Sequence, residues 1–301
     1  MPSAPEPMST ARRLRELLLR SQILVAPGAY DGLTAKMVEQ AGFDAVYMTG
    51  AGASAARGFP DYGLVTMSEM AESAGVLARS VKVPLVADAD TGYGNELNVT
   101  RTVREYEMRG VAGLHIEDQV APKRCGHLDG KEVIPRDQFI AKIRAAVDAR
   151  RSRDFLLIAR TDARAVLGLD EAIARVREAL AAGADMAFVE AAQSIEEVAS
   201  IPRRVEGPCL LNVVLGGKTP DIDMAAAQEM GYRLAILPSL LLGAVAVACT
   251  QVLAALKTSG KPPSSAQGPT IAERFRRMGS EEWDALRTKY HSEASDSGRS
   301  E

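Results

Sequence analysis

Ala41-Gly42-Phe43-Asp44-Ala45-Val46-Tyr47-Met48 is the stretch on which the fold turns. A glycine suited to ending a helix comes first, and a short apolar run suited to a strand follows within a few residues. The outline returns as Arg109-Gly110-Val111-Ala112-Gly113-Leu114-His115-Ile116, as Ala182-Gly183-Ala184-Asp185-Met186-Ala187-Phe188-Val189, and as Met230-Gly231-Tyr232-Arg233-Leu234-Ala235-Ile236-Leu237. Working outward, eight such runs read as strands covered on both faces: 23–26, 45–49, 83–88, 113–117, 156–160, 186–190, 209–213 and 234–237. Helical patterns separate them at 32–40, 68–81, 96–109, 136–150, 169–182, 195–204 and 223–230. Eight βα units predict an α/β protein, a (β/α)8 TIM-type barrel with an additional C-terminal helical segment. An open doubly wound sheet is the rival arrangement.

The rest of the chain fits that frame. Residues 1–258 make the barrel, the catalytic domain. Residues 259–291 hold a Ser-, Gly- and Pro-rich linker followed by a charged helical pattern, and 292–301 read as a disordered polar tail. An apolar content of 47% supplies a sizeable core. A net charge of −3 offers no footprint for nucleic acid or an anionic membrane, and 5% aromatics argues against base stacking. Cys125, Cys209 and Cys249 are odd in number and far apart, so neither a disulfide framework nor a zinc site is indicated. Cys209 and Cys249 read as core fillers. The N-terminal ten residues lack the basic and apolar regions of a signal peptide, and a cytoplasmic location is expected. The apolar stretch 234–256, interrupted by Pro238, Ser239, Thr250 and Gln251, reads as a buried strand and a buried helix rather than a membrane span.

Polar residues gather where the strands end: Thr49-Gly50-Ala51-Gly52, Asp88-Ala89-Asp90, Glu117-Asp118, Arg160-Thr161-Asp162, Glu190 and Asn212. In barrels that face carries the active site, and several buried charges converging there need a ligand. In extended backbone Asp88 and Asp90 point the same way, and a hard divalent cation resolves their repulsion. Glu117 completes that metal site directly or through water. The long break 118–134 holds Lys123-Arg124-Cys125-Gly126-His127, where flanking cations are expected to lower the thiol pKa. Cys125 then exchanges a proton with a carbanion-like carbon, while Lys123 and His127 tune it or hold a substrate carboxylate. Arg160 and Glu190 pair across adjacent strand ends, either to grip a substrate carboxylate or as structure alone. Tyr47 and Thr49 stand at the second strand end, where Gly50 and Gly52 leave backbone N–H groups open to an anion. Asn212 reads as a donor to a carboxylate, and Asp61 as a residue that closes the site or caps a turn. His115 reads as a satisfied inner residue. Gly216-Gly217-Lys218-Thr219 lacks the spacing of a phosphate loop.

Lys123-Arg124-Cys125-Gly126-His127-Leu128 resembles the signature loop of the isocitrate lyase / phosphoenolpyruvate mutase superfamily. Matching strings run from Val25-Ala26-Pro27-Gly28-Ala29-Tyr30-Asp31 through Asp88-Ala89-Asp90-Thr91-Gly92-Tyr93-Gly94 to Leu237-Pro238. The length is similar to its short members, of the 2,3-dimethylmalate lyase, methylisocitrate lyase, oxaloacetate hydrolase and carboxyphosphonoenolpyruvate phosphonomutase types. The resemblance implies a Mg²⁺-dependent barrel, with Mn²⁺ as a substitute, forming a homotetramer that exchanges C-terminal helices. It implies cleavage of a 2-hydroxy di- or tricarboxylate to a 2-oxo acid and a second carboxylate. Cys125 would be the general acid, with Lys123, His127 and Tyr47 as further catalytic residues. Asp88, Asp90 and Glu117 would hold the metal. Thr49, Gly50, Ala51, Asp61, Gly126, Arg160, Glu190 and Asn212 would surround the substrate. Cys125 disfavours phosphoenolpyruvate mutase activity, and Pro238 after the eighth strand favours the lyases over oxaloacetate hydrolysis. P–C bond formation or oxaloacetate hydrolysis in the same pocket stays an alternative, and a non-catalytic binding barrel is the remaining one.

Overall fold

The computed structural model describes residues 8–264 and 267–297. Its eight strands are β1 Leu24–Ala29, β2 Val46–Met48, β3 Leu85–Asp88, β4 Gly113–Glu117, β5 Leu156–Thr161, β6 Met186–Val189, β7 Cys209–Asn212 and β8 Leu234–Leu237. They pair in parallel in chain order, and β8 closes on β1 with Leu24 opposite Leu234. The sheet is therefore the closed barrel and not the open alternative. The four glycines of the repeated outline, Gly42, Gly110, Gly183 and Gly231, all have φ between 83° and 106°. This left-handed backbone ends each helix before the next strand begins.

Alternation along the strands separates two kinds of packing. One set of side chains points inward and forms a single cluster that includes Ala26, Val86, Ile158, Met186, Phe188, Leu210 and Ile236. The N-terminal helix Thr10–Leu18 adds Ala11, Leu14 and Leu17 to that cluster. Arg15 on this helix donates to the carbonyls of Asp154 and Phe155, just before β5. The helix thus plugs the N-terminal mouth of the barrel. The outward set packs against the surrounding helices in two further clusters.

Boundaries shift modestly from the sequence expectation. β1 extends to Ala29, and β2, β6 and β7 each stop one residue earlier than expected, although Thr49, Glu190 and Val213 just beyond them still donate their N–H to the neighbouring strand. The chain divides into two compact units, residues 1–243 and 244–301. Helices Leu240–Ser259, Ile271–Arg277 and Ser280–Ser297 follow β8. The strand-then-helix reading of 234–256 holds, but the burial does not: no residue of Leu240–Ser259 is buried in the chain. That helix is apolar around its whole circumference, so nothing in its pattern selects one covered face. Cys249 lies on it and is exposed, which corrects its assignment as a core filler, whereas Cys209 is buried. The last helix reaches Ser297, well into the stretch read as a disordered tail. Residues 298–301 of that tail, 265–266 of the linker and 1–7 of the N-terminal stretch lie outside the described residues.

Candidate active site

The inward alternation that packs the lower barrel turns polar at the C-terminal strand ends. β3 brings Asp88 opposite His115 of β4, and Glu117 of β4 lies opposite Arg160 of β5. A cavity of about 120 Å³ opens there. Tyr47, Thr49, Ala51, Asp61, Asp88 and Cys125 line one part of it. Gly126, His127, Arg160, Glu190 and Asn212 line the rest, together with Val214, Pro238 and Ser239. A larger hollow of about 580 Å³ lies alongside. It is lined in part by Asp90 and Lys123 but touches none of Cys125, Arg160 and Glu190, so the convergent chemistry belongs to the smaller space. Gly50, Asp90, Glu117 and Lys123 stand just behind the cavity wall rather than in it. Gly50 has a steric reason to be glycine, since a Cβ there would come within 2.4 Å of Asp88 Oδ2.

Arg160 organises the floor. Its Nε lies 3.1 Å from Glu117 Oε2 and 3.0 Å from Asp162 Oδ2, and its Nη2 lies 3.4 Å from Glu190 Oε2. None of these contacts uses Nη1. Glu190 is further held by His127 Nε2 at 3.1 Å and by Asn212 Nδ2 at 3.0 Å. Burial alone would raise the Glu190 pKa, but Arg160, His127 and Asn212 outweigh it and hold the carboxyl well below its ordinary range. His127 Nδ1 accepts from the Lys218 backbone N–H at 3.0 Å, which leaves Nε2, 3.1 Å from Glu190 Oε1 but not aligned for a hydrogen bond, as the donor nitrogen of the ring. The Asn212 amide nitrogen is thus engaged by Glu190, and its Oδ1 has no hydrogen-bond donor.

The two aspartates meet differently from the extended-strand reading. β3 ends at Asp88, and Asp90 takes a left-handed backbone with φ 46°. The Asp90 N–H then donates to Asp88 Oδ1 at 2.9 Å, so a tight turn, not strand alternation, brings the carboxylates together. Burial raises the Asp90 pKa to about 6, with Asp88 adding to the effect and Lys123 opposing it. For Asp88, burial is outweighed by His115, Lys123 and Arg160, leaving it below its ordinary value. Burial pushes Glu117 well above its ordinary value despite Arg160. Asp90 Oδ1 and both Glu117 oxygens have ionic neighbours or none, but no aligned hydrogen bond. Among the described residues no group of three or more Asp, Glu, His or Cys side chains forms a direct metal cage. Oxygen donors with spare lone pairs and no complete cage suit a hard cation that keeps several water ligands, as Mg²⁺ does.

The cysteine loop corrects one expectation. Burial raises the Cys125 pKa above its ordinary value, although the His127 N–H and Arg160 pull the other way. The flanking cations do not serve the thiol. Lys123 Nζ bonds Asp61 and lies 2.8 Å from Asp90 Oδ1, and the Arg124 guanidinium sits 5.7 Å above the Tyr62 ring. Cys125 is therefore a neutral thiol at neutral pH. His115 is not fully satisfied either: it stacks on Tyr47 and shares a 2.8 Å hydrogen bond with its hydroxyl, but Nδ1 has no partner. Burial lowers the His115 pKa to about 4, so it is neutral beside Asp88.

Sequence reasoning missed the residues that shape the loop from within. Gln119 brackets Arg124, donating to its carbonyl at 2.8 Å and accepting from its N–H at 3.0 Å. Lys131 is buried and reaches Gly126 and Asp162. Arg175 bonds Asp118, which in turn accepts from the Asp162 N–H. Isolated polar residues within a long polar loop carry no periodic signal. Gln119, next to Glu117-Asp118, is the one whose position hinted at a role.

Known proteins resemble this chain in sequence and in fold. Residues 14–257 match the family described as phosphoenolpyruvate phosphomutase. The chain is 47% identical to 2,3-dimethylmalate lyase of Eubacterium barkeri, across 83% of this chain and 87% of that one. It is also 47% identical to 2-methylisocitrate lyase of Aeropyrum pernix, across 75% and 72%. Among solved structures, oxaloacetate acetylhydrolase in complex with 3,3-difluorooxalacetate matches with a TM-score of 0.90 at 40% identity, covering 95% of this chain and 98% of that one. Phosphonopyruvate hydrolase in complex with oxalate and Mg²⁺ matches with a TM-score of 0.85 at 30% identity, covering 94% and 99%. The chain belongs to the phosphoenolpyruvate phosphomutase family and is a lyase-type enzyme of the PEP mutase/isocitrate lyase superfamily.

Proposed function

We propose that this enzyme cleaves a carbon–carbon bond in a 2-hydroxy di- or tricarboxylate of the 2,3-dimethylmalate or 2-methylisocitrate kind, giving a 2-oxo acid and a second carboxylate. The observation that carries the reading is that Cys125, whose pKa burial pushes upward, lines one cavity with Asp88, Glu190 and Arg160. Arg160 and His127 supply positive or donor character for substrate carboxylates, with Thr49, the Gly50 N–H and Asn212 beside them. The substrate hydroxyl passes its proton to a carboxylate of the floor, its C–O bond becomes a carbonyl, the electrons of the breaking C–C bond pass to the other fragment as an enolate carbon, and the proton on the floor returns through solvent to the thiolate that Cys125 becomes on donating. The Cys125 S–H protonates that carbon, and a neutral thiol is the form that donates. Tyr47, kept protonated by burial, contributes a hydroxyl hydrogen bond next to the hydroxyl end of the substrate.

Asp88 and Asp90, with Glu117, would hold Mg²⁺ or Mn²⁺. When bound, the cation would polarise the hydroxyl and carboxylate oxygens as a Lewis acid. The relative crystallised with oxalate and Mg²⁺ supports this choice.

The test is to incubate the protein with Mg²⁺ and a panel of 2-hydroxy diacids and triacids, assaying 2-oxo acid release. Turnover of a substituted malate or methylisocitrate is expected, and no turnover with the fold intact contradicts the reading. Ser239, beside Pro238 in the cavity wall, favours a second reading, oxaloacetate hydrolysis. Oxalate release from oxaloacetate separates the two.

The assembly belongs to the same proposal. Val247, Leu253 and Leu256 on Leu240–Ser259 are more than a third exposed, and the helix is long and apolar enough by composition to cross a membrane. We read it as covered by a second copy in a homotetramer in the cytoplasm rather than by lipid. Light scattering at detergent-free micromolar concentration checks this: a tetramer is expected, and detergent-dependent solubility contradicts it.

A further inference from the structure

The cysteine loop is a closed excursion with a defined stem. Gln119 and Val133 form an antiparallel bridge, Val120 N–H donates to the Glu132 carbonyl at 2.9 Å, and Ile134 N–H donates to the Asp118 carbonyl at 2.9 Å. The tip rests directly on the floor, because a Cβ on Gly126 would lie 2.5 Å from Arg160 Nη2 and 2.6 Å from Glu190 Cγ. Lys131 is the first residue inside the stem. Its side chain is 1% exposed and folds beneath the loop instead of into water. Its ammonium bonds the Gly126 carbonyl and lies 3.1 Å from Asp162 Oδ1, and Asp162 in turn binds Arg160. One buried cation therefore joins the backbone next to Cys125 to the anchor of the floor arginine. A lysine needed only to neutralise Asp162 would not have to reach the loop, because Arg160 already pairs with that carboxylate.

We propose that Lys131 is a positioning residue: its bond to the Gly126 carbonyl keeps the Cys125 loop closed over the pocket and ties that closure to the Arg160–Asp162 pair. The catalytic part of this inference rests on the lyase reading above, whereas the closure itself does not. The chain of contacts gives the closed loop two reporters away from Lys131. These are the Leu128 N–H, bonded to the Cys125 carbonyl at 2.9 Å, and the Lys218 N–H, bonded to His127.

The experiment compares the native protein with Lys131→Met and Lys131→Gln by amide hydrogen exchange with Mg²⁺ and no substrate, then by steady-state kinetics. In Lys131→Met the Leu128 and Lys218 amides are expected to exchange about tenfold faster while the β4 amides stay unchanged. In Lys131→Gln, whose amide still donates to a carbonyl, both reporters are expected to stay within about threefold of native. On the cleaved substrate, kcat for Lys131→Met is expected to fall about 30-fold with KM changed by less than about threefold, the signature of lost positioning. Unchanged reporters in Lys131→Met, or an equal acceleration in β4, overturn the proposal. Should Lys131→Met fail to fold, Lys131→Leu decides in the same way: selective acceleration of the two reporters supports the carbonyl bond, and unchanged reporters overturn it. If no 2-hydroxy acid is cleaved, the lyase reading fails, and the exchange result still decides the role of Lys131.

Discussion

Along β5, Leu156 and Ile158 point into the barrel as packing, and Arg160, next on the same face, meets three carboxylates. β6 repeats the step from Met186 and Phe188 to Glu190, β3 from Val86 to Asp88, and β7 from Leu210 to Asn212. The lower interior is held by shape, so the cost of disturbing it is a cavity. The upper interior is held by charge, so the cost of disturbing it is an orphaned ion. Two residues of strand separate a layer that keeps the barrel closed from a layer that carries the chemistry.

The change expected to do most damage is Arg160→Met, because it strands Glu117, Asp162 and Glu190 together. It should abolish turnover and cost about 3–5 kcal/mol in chemical denaturation. A folded variant of native stability would mean that the upper layer is not held by charge. Ile158→Ala, one step below, should cost about 2–5 kcal/mol through cavity formation and leave kcat within about twofold. A tenfold loss of kcat there would break the separation of the layers. Mg²⁺ should stabilise the native protein by about 2.7 kcal/mol at a hundredfold excess over its Kd, read by thermal shift, and Asp88→Asn should remove that gain. The smallest effect concerns pH. The thiol donates only when protonated, that form is lost as pH rises through its pKa, and burial moves this pKa upward. The alkaline limb of kcat should therefore lie above about 8.5, the ordinary thiol value, and a limb near 7 would identify a thiolate instead.

The fold was legible because its signals are periodic. Four glycine-then-strand outlines state the βα unit, and eight apolar runs count the strands. The candidate site was legible as a set of residue types at strand ends. Its wiring was not, because wiring depends on directions that only the folded backbone sets. Asp90 reaches Asp88 through a left-handed turn, and Lys123 turns from the neighbouring thiol toward Asp61 and Asp90. Lys123 and Arg124, which the sequence places beside Cys125, turn to other partners, and burial dominates the thiol, so its pKa shift is upward and not downward. Lys131 is a lone lysine in a polar loop, which reads as solvent-facing until the fold buries it. The apolar composition of Leu240–Ser259 suggests a buried helix, and composition alone does not say whether the chain itself covers it.

In the proposed reaction Cys125 handles the carbon end while the carboxylate floor handles the oxygen end. Cys125→Ser tests this division most directly, assayed for 2-oxo acid release with Mg²⁺ on the substrate the native enzyme cleaves, with the Mg²⁺-induced thermal shift recorded on the same sample. A kcat lower by about 10²–10⁴ is expected, with the Mg²⁺ shift retained because the floor is untouched. Native kcat in the serine variant would contradict it.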